Sequence, residues 1–484
     1  MRIRTLNDIM KPIAPNTLAE WEKTREEIIA NLKFASSIEL LRHDAPLNPK
    51  FLGTVEYENF VIEKVVFESL PGFYVTGNLY RPKDTSKKYP AILNPHGHWT
   101  HGRFETKDLA RLPQRCANFA MRGMVAFIYD MIGYNDSAQL KHNGFTPEYE
   151  KWNFGRFSLQ LNNSRRAIDF VASLPYVDAD RIGCTGCSGG GTQTYFITAL
   201  DERIKAAAPI NMASTRMQGG CICENTAFLR TVYNNIDYTM VTAPRPLFMS
   251  ASDGDWTIKS ETVEFPAVEY LYRLYGASDK YEHFYQSAPH CYNLPIRERV
   301  YKFFCRAFGI DDPFDGEIDL EIDTEQIRIG ELPPCEGYIH DDEEMFALAK
   351  KIICSNLKKL TASQRFDLVR RVYALDTAFD LDIPYIAEED KDGNYTVTFG
   401  ACPAETDTCG AKYPHCYNYA EDTRRVNALT HLFAEYPGAK FVARGKTAAL
   451  CAIAARLSDS PKLELGDADD SDVFIPGSAL LENL

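Results

Sequence analysis

The sequence predicts an α/β protein: a mostly parallel sheet covered by helices on both faces, followed by a smaller α/β lobe. Three observations carry this. Short apolar runs alternate with helical stretches from residue 60 to residue 308. Such alternation builds β–α–β units and a sheet buried on both sides. An acidic segment at 311–344 then interrupts the pattern, and a second, shorter alternation follows it. The 484 residues are 45% hydrophobic and 25% charged, which excludes a disordered, collagenous or coiled-coil chain. The length suits about two or three domains.

Residues 1–55 read as a polar N-terminal helical segment, clearest in WEKTREEIIANLKFAS. A domain at 56–310 begins with two strand-like runs, FVIEKVVFES and FYVTGNLYRP, joined by a hairpin turn at Pro71-Gly72. Strands then follow at 91–94, 125–129, 181–184, 204–209, 246–251 and 281–286. The intervening helices are expected at 108–122, 156–173, 191–200, 262–276 and 295–308. Residues 311–344 form an acidic joint, in which Glu317 to Asp323 alternates charged and apolar residues. That is the period of a strand with one wet face, able to pair with a sheet edge. Residues 345–484 form a C-terminal α/β lobe. Its helices are expected at 343–375, 419–434 and 447–457, and its strands at 384–400 and 440–443.

Charge is concentrated in the joint. The chain carries a net −14; residues 311–344 hold fourteen acidic residues against one basic residue, leaving −1 for the rest. An acidic excess argues against nucleic acid as a partner. No run reaches the roughly 18 apolar residues that span a bilayer, so no membrane partner is expected. The first residues lack the apolar core of a secretory signal. With thirteen cysteines, an odd number, the expectation is reduced thiols and a cytoplasmic location.

The chemistry centres on Gly186-Cys187-Ser188-Gly189-Gly190, a G-x-S-x-G motif between an apolar strand and a helix. The turn is so tight that side chains two before and two after the serine would collide, and glycine relieves this. The helix N-terminus then offers N–H groups to a developing oxyanion. In this context the motif predicts the α/β-hydrolase fold, with acid and histidine following the serine in that order. His290, after the 281–286 strand, is the expected base. Asp255 and Asp253 both follow the 246–251 strand and both qualify as the acid. The second oxyanion donor is expected from Asn94-Pro95-His96-Gly97-His98-Trp99, so the N–H groups of Gly189 and His98 form the hole. Asp130, in the loop after the next strand, is expected to fix that loop as a hydrogen-bond acceptor.

The runs HGHW, YDMIGYNDS, GCSGGGTQT, DGDWT and PHCYN resemble the acetyl xylan esterase and cephalosporin-C deacetylase branch of the α/β-hydrolases. Similar bacterial proteins are described as acetylxylan esterase-like or prolyl-oligopeptidase-like hydrolases. The likeness covers about residues 60–310. It implies Ser188 as nucleophile, Asp255 as acid (favoured by DGDWT) and His290 as base. It also implies a carbohydrate ester, acetyl or another small acyl, as substrate, with Trp99, Tyr134, Glu224, Asn225 and Trp256 as pocket candidates. The deacetylases typically carry glutamine after the nucleophile, where this chain has Gly189. No metal or organic cofactor is required by this chemistry. The alternatives are a serine peptidase of prolyl-oligopeptidase type and a binding or assembly protein on a hydrolase scaffold. The oligomeric state is open.

Other patterns are read as structural. His96, His98 and His101 alternate on a loop and are not expected to bind a metal. Cys184 and Cys187 form a C-x-x-C that the elbow already explains. Cys221 and Cys223 lie in an insertion that could rim the pocket. Cys402, Cys409 and Cys416 recur every seven residues, a spacing that fits no standard zinc pattern. The pentapeptide PHCYN at 289–293 and 414–418 is a coincidence. The strand–turn–helix at 441–447 resembles an elbow without a serine, which marks the C-terminal lobe as a degenerate, non-catalytic hydrolase-like unit.

Overall fold

Nine strands form the main sheet of the computed structural model, which describes residues 9–144, 146–217, 219–403, 414–417, 419–458 and 461–483. They are β1 (Lys50–Glu56), β2 (Phe60–Leu70), β3 (Phe73–Pro82), β4 (Tyr89–Leu93), β5 (Val125–Tyr129), β6 (Val177–Cys187), β7 (Ile204–Ile210), β8 (Leu247–Gly254) and β9 (Tyr281–Pro289). Their order is β1-β2-β3-β5-β4-β6-β7-β8-β9. β1 to β3 and the β3–β5 pair are antiparallel; from β5 onward every pair is parallel. The reversal at β4 and β5 is a topological switch point, and open α/β sheets bind ligands beyond the carboxyl ends of the strands at such a point.

The central strands are apolar throughout: Val125–Tyr129 is buried at every position. That pattern suits a strand covered on both faces. One face packs against Arg156–Ser173 and Gly189–Leu200, the other against Leu112–Met121 and Leu294–Phe308. The expected hairpin forms at Pro71-Gly72, where Gly72 takes φ +75.

The N-terminal segment differs from the expectation in one respect. Its helix, Leu18–Ser36, is capped by Thr17 and buries Trp21, Ile28 and Leu32 in the main core. However, Lys50–Glu56 is already the first strand of the sheet. The segment therefore belongs to the hydrolase-like unit instead of preceding it.

The acidic joint also differs. Glu317 to Asp323 forms no strand. The alternation does sort faces, since Ile322 and the later Ile327 are buried in the core under Leu112–Met121. The acidic residues meet arginines, not a sheet edge. Glu317 is buried with Arg297 (Nε–O 2.6 Å) and accepts from Tyr301 Oη at 2.8 Å. Asp312 pairs with Arg122, and Asp342 with Arg156. Side-chain pairing holds this chain where backbone pairing was expected, because the arginines present a charged surface that a strand edge would not neutralise.

After helices Asp342–Leu357 and Ala362–Val372, a second sheet runs β10 (Tyr385–Glu389), β11 (Tyr395–Phe399), β12 (Lys440–Arg444) and β13 (Lys462–Ala468), in that order. Helices Glu421–Glu435 and Gly445–Ala455 complete the lobe. The elbow-like turn at 441–447 is present as β12 and its following helix. The lobe touches the hydrolase-like unit through backbone bonds from Phe228 and Arg230 to the carbonyls of His415 and Cys416, at 2.9 and 2.8 Å. Cys409 and Asn418 lie outside the described residues.

Twelve described cysteines are free thiols, Cys184 and Cys187 among them. Among the described residues no helix is long and apolar enough to cross a membrane. The Glu317–Arg297 pair supplies a stability test. Replacing Glu317 with Ala leaves the fully buried Arg297 guanidinium with only the exposed carboxylate of Asp108, which is expected to cost up to about 3–5 kcal/mol. Urea unfolding of Glu317→Ala against the parent protein reads this as a lowered midpoint.

Candidate active site

The site grows from the turn between β6 and the helix Gly189–Leu200. Ser188 sits at the tip with φ 59 and ψ −128, a backbone region that costs a non-glycine residue of order 1–3 kcal/mol. The glycines around it are there for contact. A Cβ on Gly186 would lie 2.6 Å from the Gly190 carbonyl and 2.4 Å from the Pro95 oxygen; one on Gly190 would lie 2.1 Å from that oxygen. The collision expected between the two flanking positions is thus explicit, and the β4 loop presses on the same turn. Ser188 N–H donates to Ile210 O at 3.3 Å, which ties the turn to β7.

His290 follows β9 and stands over this turn. Its Nδ1 donates to Asp255 Oδ2 at 2.7 Å, and its Nε2 lies 3.9 Å from the Sγ of Cys187, the residue before the serine. Asp255 is almost wholly buried and is fixed from three sides. Thr257 donates to Oδ1 from its backbone N–H, at 2.7 Å, and from its hydroxyl, while Asn211 Nδ2 reaches Oδ2 at 3.3 Å. Asp253 instead accepts from the backbone N–H of Ala288 at 3.0 Å. Of the two carboxylates considered, only Asp255 meets the imidazole. Trp256 and Trp99 pack near that imidazole, with ring centroids 4.4 and 6.2 Å away.

The β4 loop brings Gly97 against the serine: a Cβ there would lie 3.0 Å from Ser188 Cβ and 2.6 Å from the Cys187 carbonyl. His98 follows directly, so its main chain and the first residue of the helix, Gly189, face the same turn. His96 holds this loop to the next one. Its Nδ1 donates to Gly97 O at 2.7 Å and its Nε2 accepts from Met131 N–H at 2.9 Å. Burial pushes its pKa down to about 3, so the ring stays neutral and serves as a strut. Asp130 fixes the β5 loop as expected, accepting from Thr76, Asn135, the backbone of Asp136 and Arg103.

Two pocket candidates occupy other positions. The carboxylate of Glu224 accepts from Thr192 Oγ1 at 3.0 Å and from the N–H groups of Gly220 and Cys221 at 2.9 and 3.1 Å. Asn225 Nδ2 donates to the carbonyls of Gly219 and Cys221 at 3.1 and 2.7 Å. Both side chains are buried and brace their own loop, and Asn225 also lines a small cavity with Glu150, Phe154 and Cys416. Sequence reading could not see this, because the partners are backbone groups of a loop with no periodicity.

His98, His96 and His101 do not assemble with one another. The His98 ring turns instead toward His142 and the pair Cys221 and Cys223, which lie in two loops far from it in sequence. His98 Nε2 lies 3.2 Å from Cys223 Sγ, and His142 Nε2 lies 3.0 Å from Cys221 Sγ. A hydrogen bond from the Cys223 thiol, with help from the two imidazoles, lowers the Cys221 pKa to about 2. Burial drives that of Cys223 up. Tyr134 packs edge-on against His96, His98 and His142. His142 was not singled out from the sequence, where it is one histidine in a polar loop.

A mixed sheet of this order with a positive-φ serine after β6, an acid after β8 and a histidine after β9 defines an α/β-hydrolase. Residues 52–212 match the acetyl xylan esterase (AXE1) family model. The chain is 25% identical to the "Putative hydrolase YtaP" of Bacillus subtilis over 34% of its own length and 57% of that protein's, so it spans little more than half of that relative. Among solved structures it is similar to methylesterase BT1017, with 26% identity and a TM-score of 0.60 over 72% of this chain and 78% of that one. The chain is also similar to a glucuronoyl esterase from Solibacter usitatus, at 16% identity and a TM-score of 0.45 over 61% of this chain and 94% of that one.

The neutral strut at His96 predicts a pH effect. Unfolded, His96 takes up a proton near pH 6.5; folded, it does so only near 3. The unfolded state therefore binds more protons between these values, and stability falls as pH drops from 6.5 toward 3, by at most about 1.4 kcal/mol per pH unit from this group. Denaturant titrations from pH 7 to 4 on the parent and on His96→Gln are expected to show the shallower decline in the variant.

Proposed function

We propose that the protein is a serine hydrolase that cleaves a carboxylic ester on a carbohydrate through an acyl-enzyme. The observation that carries the reading is the buried Asp255 bonded to His290 at 2.7 Å, beside a serine held at positive φ. Ser188 attacks the ester carbonyl while His290 Nε2 takes its proton and then returns it to the leaving alcohol. Asp255 holds Nδ1 protonated and stabilises the imidazolium. The N–H groups of Gly189 and His98 receive the oxyanion. Water, deprotonated by the same imidazole, releases the acid.

Ester over amide rests on the acetyl xylan esterase match across 52–212 and on the likeness to a methylesterase. That likeness makes a methyl ester the substrate to set beside an acetyl ester. Trp99 and Trp256, both close to His290, offer flat apolar faces of the kind that sugar rings pack against.

A fluorophosphonate probe is expected to label the protein and to lose its target in Ser188→Ala; an unlabelled parent protein would sink the serine mechanism. Asp255→Asn is expected to lower kcat by about 1,000- to 10,000-fold with little change in KM, whereas Asp253→Asn leaves kcat within a few-fold. Hydrolysis of p-nitrophenyl acetate against a peptide anilide separates esterase from peptidase. A panel of acetylated and methyl-esterified sugars then identifies the ester.

A further inference from the structure

We propose that His98, His142, Cys221 and Cys223 bind one zinc ion, a site beside the catalytic serine that departs from the metal-free expectation. The donor atoms all lie within 4.8 Å of one another. Two of the separations are 3.2 Å (His98 Nε2 to Cys223 Sγ) and 3.0 Å (His142 Nε2 to Cys221 Sγ). A zinc tetrahedron with bonds of about 2.3 Å to sulfur and about 2.0 Å to nitrogen has edges of about 3.3–3.8 Å. Small rotations of these side chains therefore admit the ion without moving the backbone. Two imidazoles and two thiols are also a donor set that zinc favours, through its affinity for nitrogen and soft sulfur.

The ligands come from three loops at the carboxyl ends of the strands. His98 follows β4, His142 follows β5, and the two cysteines lie on and beside the turn Ile222–Glu224 in the insertion after β7. Each loop is fixed from behind. His142 Nδ1 donates to the carbonyl of Ile132 at 2.7 Å, which leaves the lone pair of Nε2 pointing at the sulfurs. Glu224 and Asn225 bind the main chain of residues 219–221. Arg230 in turn holds the Glu224 carbonyl and the Asn225 oxygen at 2.9 and 3.0 Å. This gives the two buried polar residues a purpose that a substrate pocket did not: they set the angle of the cysteine turn.

The glycine after the nucleophile fits the same account. A Cβ on Gly189 would lie 2.7 Å from His98 Cε1 and 2.9 Å from His98 Nδ1. A larger residue here would push the His98 ring off the cluster. Gly189 in place of glutamine is the condition for His98 to reach the sulfurs.

Four protein ligands close the coordination shell, which makes the ion structural. On binding, the two cysteine sulfurs enter as thiolates, any thiol protons leave to solvent, and the site is neutral overall. Nothing is oxidised or reduced. The ion would tie the main chain at His98 to the insertion that carries the cysteines. Only this last consequence, for the oxyanion-binding loop, rests on the esterase reading.

The test uses the full-length protein carrying Ser188→Ala, purified without chelator, so that metal binding is read apart from hydrolysis. Elemental analysis is expected to find about one zinc per chain. Exchange into cobalt(II) is expected to give thiolate-to-cobalt charge-transfer absorption and the intense visible bands of a tetrahedral ion. Adding Cys221→Ser and Cys223→Ser is expected to remove both signals. His142→Gln, which keeps the cysteine turn intact, is expected to shift the cobalt spectrum and weaken zinc retention against a competing chelator. Circular dichroism confirms that each variant is folded. Stoichiometric zinc that persists in the folded double-cysteine variant would overturn the site. So would a parent protein that is free of zinc and gives no cobalt bands when cobalt is added. Stoichiometric iron in place of zinc would overturn the choice of ion.

Discussion

The turn at Ser188 is the constraint on which the site depends. A serine at φ 59 is held against its own preference, and the surrounding structure has to make any other conformation worse. It does so by contact from both sides. The Pro95 carbonyl closes on Gly186 and Gly190, Gly97 closes on the Cys187 carbonyl, and Ile210 O takes the serine N–H. β4 and β7 both pair with β6, so the same strands that build the sheet bring these contacts to its end. Fold and strained turn are therefore one arrangement: loosening either neighbour would let the turn relax.

A second set of interactions carries the loops around that turn. Arg103, buried after β4, is paired with Asp130 and Asp136 from the β5 loop. His96 bridges the same two loops while remaining neutral. Asp136 also accepts from the N–H of Ile329 at 3.0 Å, so the acidic joint is fastened to the loop that fixes the site. The joint is thus no flexible tether. Its carboxylates find arginines on the hydrolase-like unit, which is why so one-sided a charge is tolerated within a packed protein.

Much of the fold was legible because it rests on local pattern. Val125–Tyr129 is apolar at each position, and the helix at 156–173 has the boundaries its periodicity indicated. G-x-S-x-G located the turn for a steric reason that two glycines encode. Glu317 to Asp323 misled, because an alternating pattern reports one wet and one dry face but not what covers the dry one. Here a helix surface covers it, and arginines take the place of a neighbouring strand. Lys50–Glu56 carries no strand signal because its residues, KFLGTVE, do not alternate apolar with polar, although their exposure largely does.

The sequence by itself determined the α/β alternation and the tight turn at Ser188, since each follows from sterics or periodicity between near neighbours, while the order serine, acid, histidine was what the resemblance to α/β-hydrolases implied. Only the tertiary structure decided that Asp255 and not Asp253 meets His290, that Glu224 and Asn225 brace a loop, and that His98 and His142 converge on Cys221 and Cys223. Those outcomes depend on how separate loops fold back over the ends of adjacent strands. Asp255 and His290 are 35 positions apart and His98 and Cys223 are 125 apart, and such pairs meet without leaving any period or motif along the chain.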